Sequence, residues 1–217
     1  FGVAERDLGQ VLKARPEVTV TTKVGLYSPG GEGQPAASVF LRKAAGRVLP
    51  SLSRPSVDFS LARAQRALDD SLRRLQRETI DLYVLHEPVA ALVQTDEWAA
   101  WSERLLAQGK IRGFGLALTA DRLAPFLQAG SPLAGVVQVH DSLEAREADI
   151  LARHGRALQI TYGYVSAARK AADPPPFDDI LRQALRRNAE GAIIVSTGKL
   201  ARLGQYSRLV AETDRAS

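Results

Sequence analysis

The 217 residues contain no cysteine, so disulfide staples, thiolate nucleophiles and thiolate metal sites are excluded. There are three histidines, and none stands at the spacing of a zinc ligand set. No apolar run approaches the ~18 residues of a membrane span. No secretory leader pattern opens the chain. Methionine is absent, an initiator included, and the first residues already read as structured, so we expect the sequence to start inside a longer protein. No G-x-G-x-x-G follows a strand, which argues against a Rossmann dinucleotide site. A Walker loop and a G-x-S-x-G elbow are missing too.

What is present is an ordinary globular composition, 45% apolar and 24% charged, long enough for one large α/β domain. The net charge is +5, with the lysines and arginines spread along the chain rather than run together. That spread reads as a solvated surface; neither a nucleic-acid partner nor a membrane is expected.

Residues 79–88, TIDLYVLHEP, organise the rest. Ile80, Leu82, Tyr83, Val84 and Leu85 form a nearly unbroken apolar run, the signature of a strand buried on both faces of a parallel sheet. Pro88 cannot continue a ladder. His86 therefore stands where the strand stops, and the carboxyl ends of parallel strands are where α/β barrels build their sites. Five further strands are expected at 18–24, 111–118, 135–140, 157–164 and 192–196. Helices are expected at 1–15, 61–77, 96–108, 120–129, 143–154, 177–188 and 199–212, with Ser60 as an N-cap and Gly109, Gly130 and Gly155 as stops. Residues 26–59 form a long irregular segment rich in Gly and Pro, with a short helix expected only at 37–48. Strands alternating with helices mean a parallel sheet. Six βα units are too few for a closed (β/α)8 barrel and about right for a doubly wound sheet, and the pattern by itself leaves both open.

Candidate site residues cluster at strand ends. Lys23 joins His86; low dielectric at a strand end favours the neutral amine and suits it to proton traffic or carbonyl polarisation. Gln138 lies inside an apolar strand and must find a partner or cost ~1–3 kcal/mol. Tyr162 stands near a strand end, where a flat ligand can stack. Ser196, Thr197, Gly198 and Lys199 form a strand-to-helix turn whose N–H groups, hydroxyls and lysine can hold a phosphate.

Taken together these residues resemble the aldo-keto reductase family. SLRRLQRETIDLYVLHEP is similar to its helix–strand–histidine segment, and VTTKVG to its lysine strand. GKIRGFGLAL, VVQVHDS, ITYGY and IIVSTGKLARL follow in the family's order. FGVAERDLG looks like the stretch after the family's catalytic tyrosine in bacterial aldose and galactose dehydrogenases. The resemblance implies a (β/α)8 TIM barrel with its first two strands missing, as one partial domain over residues 1–217. It further implies a cytoplasmic oxidoreductase that uses NADP(H), or NAD(H), to interconvert carbonyl and alcohol groups of sugars or small aldehydes and ketones.

Lys23 and His86 fall on the family's catalytic lysine and histidine, Gln138 on its carboxamide-binding residue, and Tyr162 on its nicotinamide-stacking ring. Ser196, Thr197, Lys199 and Arg202 fall in the adenosine-phosphate segment. The catalytic aspartate and tyrosine have no counterpart, since either they precede Phe1 or Phe1 replaces the tyrosine. The family's Ser-Asn pair reads Ala117-Leu118, which removes two polar contacts to the carboxamide. The alternative implied is a non-catalytic nucleotide-binding or regulatory relative.

Missing strands leave open sheet edges, which invite pairing with another chain. In sedimentation and calorimetry the isolated chain is expected to dimerise or aggregate; a monodisperse, cooperatively melting monomer would run against this.

Overall fold

The computed structural model describes residues 3–29 and 55–214, with 38, 40 and 41 of the segment between them. The helix expected at 37–48 and the resemblance at Phe1-Gly2 lie outside the described residues. Two compact units are present, one of residues 1–117 and 129–136, the other of 118–128 and 137–217.

The first unit opens with α1 (Val3–Leu12) and β1 (Thr21–Val24). β1 pairs in parallel with β4 (Leu82–His86), in the register Thr21 with Leu82 through Val24 with Leu85. β4 in turn pairs with β5 (Phe114–Leu118), Tyr83 with Phe114 through His86 with Ala117. Tyr83, Val84 and Leu85 are buried in succession, so both faces of β4 are covered, as its unbroken apolar run foretold. Two short strands, β2 (Leu26–Tyr27) and β3 (Ser56–Val57), pair antiparallel and close the two ends of the long Gly/Pro-rich segment upon each other. That local pairing was not expected.

Helix α2 (Leu61–Leu75) buries Ala64, Leu68, Ser71 and Leu75. Ser60 holds the N-cap position but makes no side-chain cap bond; instead its N–H donates to Asp58 Oδ1 at 2.9 Å. Glu5 joins α1 to α2 and β1. It accepts from Thr22 Oγ1 at 2.6 Å, Ser71 Oγ at 2.9 Å and Arg74 Nε at 2.7 Å. Helix α3 (Thr95–Ala107) buries Trp98, Trp101 and Leu105, and Trp98 stacks on Phe114 with centroids 5.9 Å apart. Both indoles find acceptors, Phe59 O and Gln65 Oε1, each at 3.0 Å.

The second unit holds α4 (Ala120–Gln128) and three parallel strands, β6 (Val136–His140), β7 (Ile160–Tyr162) and β8 (Ala192–Ile194). Gln138 pairs with Ile160 and His140 with Tyr162. Ile160 pairs with Ala192 and Tyr162 with Ile194. The strand expected at 157–164 is shorter, because Gly163 turns to φ +110° and Tyr164 begins a further helix, α6 (Tyr164–Ala168). The helix expected at 143–154 shrinks to α5 (Asp149–Arg153), since residues 142–148 are drawn into turns around Ser142 and Asp141. Helices α7 (Phe177–Arg187) and α8 (Ala201–Asp214) complete the unit. Gly109, Gly130 and Gly155 all have positive φ, in keeping with their reading as helix stops.

A buried ion pair organises this unit. Asp141 has no exposed surface, and Arg187 reaches it through Nε at 2.6 Å and a second nitrogen at 3.1 Å. Tyr164 OH donates to the same carboxylate at 2.6 Å, and Ala148 N–H at 3.0 Å. Burial pushes the Asp141 carboxyl up, but these donors outweigh it and hold it below the usual aspartate value. A carboxyl depressed in the folded state adds stability that is present above its unfolded pKa and lost as pH falls through the folded one. Acid below about pH 4 should therefore loosen this unit, and Asp141→Asn should flatten that dependence in pH-resolved urea melts. Arg187→Met should cost roughly 3–5 kcal/mol at neutral pH, since it strands a buried carboxylate.

Candidate active site

In a parallel pair, register partners share a face, and so do residues two apart on one strand. Lys23 is the register partner of Val84, and His86 lies two residues beyond Val84. The lysine and the histidine therefore project from one face, at the carboxyl ends of adjacent strands. The opposite face of β4 and β5 carries Tyr83 and Phe114, which pack against the tryptophans of α3. The juxtaposition anticipated for residues 23 and 86 is present.

Their electrostatics follow. Burial holds the His86 imidazole down, the positive charge of Lys23 adds to it, and the pKa falls to about 4. His86 is thus neutral at pH 7, a hydrogen-bonding group rather than a cation. Burial also lowers the Lys23 amine, while the charge of Glu87 raises it. By surface area, however, Lys23 is exposed, so solvent screens the charge it carries. The low-dielectric setting expected for Lys23 applies better to His86.

Glu87 was not singled out in the sequence. It stands just past β4 with φ +50°, a left-handed backbone that costs a non-glycine residue about 1–2 kcal/mol. Its N–H donates to Ala117 O at 2.8 Å, which locks the turn after His86. The clue available was position alone, an acid between a strand-end histidine and a proline.

Gln138, Tyr162 and His140 share one face of β6 and β7 by the same register argument. Gln138 is buried, and its Oε1 has no donor among the described residues. A buried amide oxygen without a donor fits a ligand that brings an N–H, as a carboxamide does. Ala117 and Leu118 are buried and carry no polar side-chain atom, so they supply no such contact.

Ser196 and Lys199 are exposed, and Thr197 is half-buried. The Lys199 N–H is not free for a phosphate as expected: it donates to Thr197 Oγ1 at 3.0 Å. The hydroxyl that was to face a ligand therefore shapes the turn before α8. Arg202 lies over the Phe177 ring, 5.5 Å from its centroid.

The Aldo/keto reductase family model matches residues 1–159. The chain belongs to the aldo/keto reductase family. It is 34% identical over 107 residues to morphine 6-dehydrogenase of Pseudomonas putida, covering 48% of this chain and 35% of that enzyme. It is 32% identical over 125 residues to 6-dehydroglucose reductase of Novosphingobium aromaticivorans, covering 57% and 34%. The matched stretches thus span about a third of the length of each of these relatives. Among solved structures, the holo form of an aldo-keto reductase from Bacillus halodurans superposes with a TM-score of 0.68 at 20% identity, covering 99% of this chain and 76% of that one. The glycerol dehydrogenase of Gluconobacter oxydans gives 0.56 at 27% identity, covering 84% and 53%. The fold is therefore the family's (β/α)8 barrel, incomplete here with six βα units among the described residues, and the doubly wound alternative drops out.

For this aldo/keto reductase family member, an NMR titration of His86 should give a midpoint near 4. In Lys23→Met the midpoint should move up yet stay below the ordinary 6.5 of histidine, because burial, the larger cause, remains. An unchanged midpoint would mean that the lysine charge does not reach the imidazole.

Proposed function

We propose that this chain serves an NAD(P)(H)-dependent oxidoreductase that interconverts carbonyl and alcohol groups of sugars or other small aldehydes and ketones. One observation carries the reading: an amine and a neutral imidazole on one face, at the carboxyl ends of adjacent parallel strands. The name of the relative that reduces 6-dehydroglucose favours a sugar carbonyl.

The cofactor, when bound, supplies or accepts the hydride. The rest falls to the protein's own groups. His86, uncharged at neutral pH, hydrogen-bonds the substrate oxygen and orients the carbonyl. Lys23 keeps a positive charge beside it, which lowers the cost of negative charge developing on that oxygen and eases proton release from a neighbouring acid. Gln138 Oε1 accepts an N–H of the carboxamide. Tyr162 supplies the flat face for the nicotinamide. Ser196, Lys199 and Arg202 take the adenosine phosphate, with the Thr197 hydroxyl shaping the turn that presents them, and the two cations lean the choice towards NADP(H) over NAD(H).

A second reading has a specific observation behind it. Ala117 and Leu118 bring no polar group to the carboxamide. The alternative is a binding or regulatory protein of the same family that holds a nucleotide without turning it over.

In the full-length protein, fluorescence titration with NADPH and NADH, followed by carbonyl-dependent oxidation, separates the two. NADPH is expected to bind more tightly. Lys199→Ala and Arg202→Ala should each weaken NADPH about 10-fold, near 1.4 kcal/mol, and leave NADH nearly unchanged. Any oxidation should vanish in Lys23→Met and His86→Ala while binding persists. Binding without oxidation supports the second reading, and binding of neither nucleotide defeats both.

A further inference from the structure

His140 ends β6 as His86 ends β4, yet the roles proposed so far leave it unused. It is the register partner of Tyr162, and the two rings meet edge to face, with centroids 5.4 Å apart and planes at 84°. That geometry directs the positive edge of one ring at the π-face of the other. The imidazole is itself held. Glu147 Oε1 lies 3.3 Å from its Nδ1, and Ser142 Oγ donates to the other oxygen of that carboxylate at 2.6 Å.

On the other side of the imidazole stands Gly163, with φ +110°. A Cβ there would come within 2.5 Å of His140 Cδ2 and Nε2. Glycine at 163 is therefore needed twice, for its backbone angle and for the room it leaves the imidazole. Ser142, Glu147, His140 and Tyr162 thus form a chain of contacts, each fixing the next, that ends on an aromatic ring.

We propose that His140, held by Glu147, is a positioning residue that sets the orientation of the Tyr162 ring for a flat heteroaromatic ligand. The proposal rests on the reading of Tyr162 as the nicotinamide platform. Its physical content is pre-organisation: a ring already fixed in its stacking pose loses less freedom on binding.

The test uses two readouts. In the ligand-free protein, NMR of labelled tyrosine should show the Tyr162 ring shifted by the His140 ring current, and His140→Ala should abolish that shift. NADPH titrations then give the functional half. Tyr162→Ala should weaken binding roughly 10-fold, as loss of an aromatic stack does. His140→Ala should weaken it about 3-fold or more, and Glu147→Gln in the same direction but less. His140→Phe, which keeps an aromatic edge, should restore much of the affinity and serves if His140→Ala fails to fold. On the Tyr162→Ala background His140→Ala should add nothing, whereas a merely structural role would weaken binding additively.

If Tyr162→Ala weakens NADPH and His140→Ala does not, or if the two effects add, the positioning role is overturned while the cofactor reading stands. If the wild-type protein binds neither NADPH nor NADH, the cofactor reading fails and this inference with it; the ring-current result then reports only a structural contact.

Discussion

The parallel pairing of β1 with β4 is the constraint on which the rest depends. Val24 against Leu85 and Lys23 against Val84 define a single register. A slip of one residue would turn Lys23 towards the face that carries Tyr83 and the tryptophans, where an ammonium has no place. The register is held from both sides. Val24, Val84 and Leu85 are buried, while Glu5 clamps Thr22, the residue before Lys23, to α1 and α2. The Val20 N–H also donates to Asp81 Oδ2 at 2.8 Å, which ties the start of β1 to the residue before β4. Packing energy on one face of the strand thereby becomes placement of charge on the other.

The second unit solves a similar problem by other means. β7 is only three residues long and β8 likewise, too short to define themselves by apolar burial. Polar contacts take over. Asn188 donates to Thr161 Oγ1 at 2.9 Å and to Ala192 O at 3.1 Å, linking the end of α7 to both strands. Asp141 gathers Arg187, Tyr164 and Ala148 at the end of β6. Buried networks of this kind are costly when incomplete and specific when satisfied. Here they surround the strand ends that carry Gln138, His140 and Tyr162.

Much of this was legible in the residues. The run from Ile80 to Leu85 marks a strand covered on both faces, and Pro88 marks its end, so the position of His86 follows from one dimension of information. The same logic applies to VVQVH, where His140 stands at the point at which the apolar run stops. Other errors share a cause. Ser60 has the right side chain for a cap and holds the cap position, but its hydroxyl makes no cap bond and its own N–H donates to Asp58 instead. Residues 143–147 have helical composition, but Asp141 and Ser142 draw the neighbouring backbone into turns. The apparent strand at 157–164 is cut short where Gly163 must leave space for His140. The neighbours that shape these stretches act by hydrogen bonds at Asp58, Asp141 and Ser142 and by the space the His140 ring fills at Gly163.

By itself the sequence determined the element types, the strand-end placement of Lys23 and His86, and the family, because hydrophobic period and punctuation are local and survive in one dimension. Only the tertiary structure decided that the imidazole is neutral, that Glu87 adopts a left-handed backbone beside it, and that His140 buttresses Tyr162. Those properties depend on burial, register and through-space charge, which arise only when distant segments are packed against one another.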